Sequence, residues 1–268
     1  MNKLLITIIC LFSYSLLFAQ IEKFQFATQL EQTYTLINAD KLGNIYTCDG
    51  SVLYKFSQTG ELLCSYSAYS FGKIESFDTY NPMKILIFSK DFTQITFVDN
   101  KLAHQHNQSI LSDNNLHIPM CVCSSYDNGF WVYDDGYNQI FRFNANGQIQ
   151  NNSSAFSTIW DNKVCPTQIF EDLSGKLIAY DSLNGFFLFD QFGTFIKNVP
   201  ILHLSHISIY QQYVVFIQDN LLHFYNLDTL QDYTSPLPNE DVEQIHIQNN
   251  VMVTLDKLGI VRIYTAKN

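Results

Sequence analysis

The sequence predicts an all-β fold: a single six-bladed β-propeller of four-stranded antiparallel blades, with an N-terminal strand closing the last blade. Three observations carry this. A short hydrophobic strand ending at an aspartate recurs along the chain, at Asp49, Asp91, Asp134, Asp181, Asp219 and Asp256. The intervals between these aspartates are 42, 43, 47, 38 and 37 residues, with no helical periodicity inside them. A period near 40 built from short strands indicates propeller blades. The last copy also stops after its third strand, whereas the first is preceded by a spare one at 23–29. Pairing the two ends supplies the missing outer strand and removes an exposed edge.

The parts of a blade are clearest in residues 129–149. An apolar strand (130–133) meets a polar turn led by Asp134, an alternating strand follows (139–143), and Asn146-Gly147 turns into a third. Upstream of each aspartate strand lies a further strand, at 33–38, 120–124, 167–170, 206–210 and 244–248. Tight turns join the pairs, with Gly43, Gly129, Gly175 and Asn249 at their tips. Glycine and asparagine tolerate the positive φ of such turns. Third strands read at 52–56, 94–98, 140–143, 186–189, 222–225 and 261–264, and polar outer strands at 104–108 and 148–152.

Ahead of the repeats, residues 1–19 read as a secretory signal peptide: Lys3, an apolar run from Leu4 to Phe18, then Ala19. That order of positive, apolar and small residues marks export. The apolar run falls short of the roughly 20 residues that span a bilayer. Residues 20–268 then form one propeller domain, periplasmic or at the cell surface, with no membrane insertion once the leader is cleaved.

Composition narrows the partners. The formal charge is −10, with 25 acidic and 15 basic residues, and the only arginines are Arg142 and Arg262. Nucleic-acid binding needs a basic footprint over the phosphates, and none is present. Loss of Cys10 with the leader leaves Cys48, Cys64, Cys121, Cys123 and Cys165. An odd number at irregular spacing is not a disulfide framework. A bridge between Cys121 and Cys165 is nevertheless open, and Cys123 adds a second thiol on the same strand.

The stretch Gly129-Phe-Trp-Val-Tyr-Asp134, followed by 138–144 and Asn146-Gly147, resembles the NHL-type repeat of six-bladed propellers. Residues 44–62 and 175–195 share the pattern, and the other blades follow it loosely. The resemblance implies fold rather than activity, since such propellers include binding modules, scaffolds and a minority of enzymes. Gluconolactonase-type propellers hold an axial calcium with a glutamate, asparagines and an aspartate. No ring of asparagines stands at the matching positions here.

Three features offer chemistry. The six repeated aspartates should ring one face. They form either a charged rim that attracts a cation or basic partner, or a set of turn-capping groups that accept backbone N–H bonds. Thirteen residues before the aspartates stand Leu36, Cys121, Gln168, His206 and Glu243, with Glu75 in blade two, around the channel mouth. Such a set suits a divalent cation if the register brings the donors together. Finally, the longest connection, 151–165, carries Trp160. The rim around Trp160, Tyr137, Asp134 and Asp181 is therefore the expected binding face. The leading expectation is a non-catalytic module for a protein, peptide or glycan. The alternative is a metal-dependent hydrolase or lactonase at the channel mouth.

Overall fold

A computed structural model describes residues 24–68, 72–105 and 109–266. The expected leader lies outside them. The described strands form six four-stranded antiparallel sheets. Blade 1 runs, from axis to periphery, through Leu36–Ala39, Ile45–Cys48, Val52–Phe56 and Leu62–Ser67. Blade 2 runs through Ser76–Asp78, Ile85–Ser89, Gln94–Val98 and Ser109–Ile110, and blade 3 through Pro119–Ser124, Phe130–Asp134, Gln139–Phe143 and Ile149–Asn152. In blade 4 the strands are Gln168–Glu171, Leu177–Asp181, Gly185–Phe189 and Phe195–Val199. In blade 5 they are Ile207–Tyr210, Tyr213–Gln218, Leu221–Asn226 and Gln231–Pro236. Blade 6 supplies Val242–Gln248, Val251–Asp256 and Ile260–Ala266, and the N-terminal strand Phe24–Thr33 completes it.

That closing strand pairs antiparallel from Phe24 opposite Ala266 to Thr33 opposite Ile260. It extends past the expected 23–29 and takes Thr33 away from the first strand of blade 1. Two register shifts interrupt it, so it bends along the blade while covering the edge. The expected outer strand of blade 2 at 104–108 is corrected. His104 pairs with Val98 as an isolated bridge outside any strand, residues 106–108 lie outside the described set, and Ser109–Ile110 pairs with Gln94 and Ile95.

Blades stack face to face, so their middle strands are covered on both sides. This explains why 130–133 and 185–189 read as continuous apolar runs within strands buried at every position. Outer strands cover one face at most, and Ile149–Asn152 is mostly exposed. The core divides into clusters that each fill one seam between neighbouring blades. Trp131, Tyr133, Phe187 and Phe189 fill the seam of blades 3 and 4, and Leu30, Ile37, Val253 and Ile263 that of blades 6 and 1. A fully buried Phe or Ile contributes about 1.5–3 kcal/mol, so each seam is a substantial share of stability.

Turns on the face opposite the repeated aspartates use a second carboxylate or amide series. Asp40, Asp172 and Asp190 each accept two backbone N–H bonds within their own turn. The turn tip then needs a left-handed residue. Gly43 and Gly193 both sit at φ +83°, where L side chains are strained.

Candidate functional site

Antiparallel order places the turn between second and third strands on the same rim as the connection entering each blade. Hydrogen bonds show how tightly the two are joined. Asp134 is fully buried; its Oδ2 accepts the N–H groups of His117 (2.7 Å) and Ile118 (2.9 Å), and its Oδ1 that of Tyr137 (3.0 Å). Asp181 accepts from Cys165 N–H at 2.6 Å and from Leu183 and Asn184. Asp256 accepts from Leu258 and Ile260 and meets the Arg262 guanidinium at 2.8 Å. At Asp49 and Asp256 burial pulls the carboxyl upward, but the donated hydrogen bonds outweigh it and hold both below the ordinary range. Asp91 and Asp219 stand exposed. Four of the six repeated carboxylates thus have their oxygens engaged by turn N–H groups or nearby side chains.

The expected rim residues form two linked pairs: Tyr137 N–H donates to Asp134 in blade 3, and Trp160 connects through Asn184 to Asp181 in blade 4. Tyr137 is 40% exposed, and its ring stacks on His117 with centroids 4.4 Å apart. Trp160 follows a short helix, α1 (Phe156–Ile159), whose Phe156 is fully buried among Tyr133, Phe187 and Phe189. The Trp160 ring meets Phe187 edge-on at 5.3 Å, and its indole N–H donates to Asn184 Oδ1 at 3.2 Å. Asn184 in turn donates to Asp181. So Trp160 is half-buried, and the long connection folds back onto the seam. The sequence reading missed His117 and Asn184; one follows a turn and the other lies in one, so no strand pattern marks either.

Of the donor residues expected at the channel mouth, Glu75, Cys121, Gln168 and His206 border the central channel. His206 Nε2 and Glu243 Oε1 are 3.9 Å apart, across blades 5 and 6. Cys121, by contrast, packs into the core of blades 3 and 4, and its thiol donates to Pro166 O at 3.5 Å. The register itself is regular, since Cys121 pairs with Tyr133 as Gln168 pairs with Tyr180, each partner one residue before the repeated aspartate; the side chain at this position turns toward the entry of the next blade. Burial pushes the Cys121 thiol far up, away from thiolate character. Gln168 donates to Ser205 O and Glu75 is exposed. Among the described residues no three His, Cys, Asp or Glu side chains converge to hold a metal ion. The described cysteines are all unpaired, so the open Cys121–Cys165 bridge does not form; Cys165 Sγ lies 3.4 Å from Asp135 instead.

The channel forms a cavity of about 410 Å³, bordered by the inner strands. It contains groups the sequence reading did not select: Asp78, Tyr80, Phe170 and His246. They lie beyond the single mouth position counted in each blade. Burial, then the neighbouring His206, lowers the His246 imidazole to about 4.

No family model matches the chain by sequence, and neither does any curated protein. Solved propellers do match by structure. A virginiamycin B lyase from Staphylococcus aureus superposes with a TM-score of 0.64 at 10% identity, over 91% of this chain and 99% of the lyase. BBS1N, solved in complex with ARL6DN, gives 0.62 at 11% identity over 92% and 98%. The Pan2 WD40 domain of Neurospora crassa gives 0.55 at 6% over 91% and 90%. At these identities the likeness is one of fold.

Proposed function

We propose that the protein is an exported, non-catalytic propeller that binds a protein or peptide through its loop-rich rim at blades 3 and 4. The observation that carries this is the exposed apolar set on that rim. Ile118, Tyr137 and Leu183 stand in solvent in the same sector as the half-buried Trp160, with Phe92 on the adjoining blade 2. Large apolar groups clustered on a rigid rim are what partner surfaces use. Exposed Asp49, Glu75, Asp91, Asp161, Asp219 and Glu243 outnumber Lys73, Lys90, Lys163 and Lys257 on the same face. A partner with a basic segment fits that charge. Export rests on the leader pattern. The hydrolase alternative draws no support from the donor geometry, since only His206 and Glu243 meet.

The test is capture of partners from the exported fraction with the wild-type protein, Tyr137→Ala and Leu183→Asp. Retention of a specific partner by the wild type and its loss by both variants is expected. Equal capture by all three, with folding intact, removes the rim as the binding face.

A further inference from the structure

We propose that the central channel is a binding site for a small organic cation, an ammonium group carried on an apolar body. This site is separate from the rim. The cavity, at about 410 Å³, falls in the range of roughly 300–1,000 Å³ that encloses small ligands. Its lining includes Glu75, Asp78 and Glu171 but no lysine or arginine.

These carboxylates divide by role. Glu171 is buried and already accepts from three donors, Ser125, Tyr126 and Trp131. Asp78 is only half-buried, and each of its oxygens accepts one backbone N–H, from Tyr80 and Ser124, at 2.7 Å. A carboxylate has about four acceptor positions, so Asp78 is held in place with capacity left toward the cavity. Half-buried Tyr80 and Phe170 add aromatic rings to the wall, which attract cations over their faces. Burial, then the negative charges of Glu171, Asp78 and Asp172, raises the Tyr80 hydroxyl, in keeping with a negative potential at that end. His246 makes no hydrogen bond to another described residue and offers an imidazole nitrogen to an ammonium N–H. An anion entering here would lose its hydration with no cation to replace it. Exposed Glu75 and Glu243 at the mouth draw cations inward.

Isothermal titration with benzylammonium, benzyl alcohol and benzoate varies charge on one ring. Saturable binding of benzylammonium alone is expected, with movement of the His246 imidazole resonances placing it in the channel. Asp78→Asn should weaken it by about tenfold or more. Because Asp78 also holds two backbone groups, Glu75→Gln and Phe170→Leu serve beside it, each weakening binding several-fold in a folded protein. Comparable binding of the alcohol or the acid, no saturable binding of benzylammonium, or wild-type affinity in all three variants overturns the proposal.

Discussion

The Trp131 indole on the second strand of blade 3 donates to the Glu171 carboxylate of blade 4 at 2.6 Å, across the seam. The same oxygen accepts the Ser125 hydroxyl at 2.7 Å, and the other accepts Tyr126 N–H at 2.7 Å. Arg142, beneath Trp131 and Tyr126, is held by Asp127 at 2.9 Å. Burial raises the Glu171 carboxyl and the three donors oppose that rise. A carboxylate buried with three donors is thus a bolt between two blades.

Glu171→Gln presents amide hydrogens to groups that are themselves donors. A loss of about 1–3 kcal/mol in urea unfolding is expected. Trp131→Phe should also destabilise, and the two together should cost less than the sum of the singles. Strict additivity would show that the bond across the seam contributes nothing of its own.

The rim aromatics should separate in stability. Trp160 packs on Phe187 and donates to Asn184, so Trp160→Ala should cost about 1–3 kcal/mol. Tyr137 contributes mainly an exposed face stacked on His117. Tyr137→Ala should stay within about 0.5 kcal/mol of the wild type. If Trp160→Ala proves as neutral as Tyr137→Ala, the long connection is not anchored by its tryptophan.

The His246 imidazole gives a pH dependence with a definite sign. Its folded value, about 4, lies below the ordinary 6.5. Between the two only the unfolded chain is protonated, so unfolding takes up a proton and stability falls as pH drops through that window. The full shift would be worth about 3 kcal/mol; access of channel water to this half-buried ring reduces it to about 1–2. Glu171 acts in the opposite direction. The informative quantity is therefore the difference between wild type and His246→Gln, measured by denaturant titration from about pH 7 to about pH 4.5. Parallel curves for the two proteins would contradict a buried neutral imidazole.

Legibility differed between fold and site for physical reasons. Repeated aspartates such as Asp134 and Asp181 each join a turn to an incoming connection, so the geometry recurs in sequence and the period is plain. Closure was readable because an unpaired third strand at 260–266 needs a partner. Site side chains obey no such repetition. Counting back from an aspartate places a backbone position, and Cys121 pairs with Tyr133 as Gln168 pairs with Tyr180, but the count does not say that the thiol turns into the seam between blades 3 and 4. Asp78 ends, and Tyr80 follows, the short inner strand of a blade whose first turn departs from the repeat, so no spacing rule reaches them. His117 meets Tyr137 only through the fold of a connection.

Ring closure carries the last prediction. The strand Phe24–Thr33 covers Ile260–Ala266 along its length, and its Leu30 is buried with Ile263 and Val253. Removing residues 24–33 would leave the third strand of blade 6 with unpaired N–H and C=O groups beside a half-opened apolar seam. Such an edge recruits a strand from another chain. The truncated protein should therefore elute from size exclusion as dimers or larger species, while the full ring elutes as a smaller form at the same concentration. A synthetic peptide of sequence 24–33 added in excess should restore the smaller form by occupying the edge. A truncated protein with unchanged elution and stability would mean that closure contributes little to holding the six blades together.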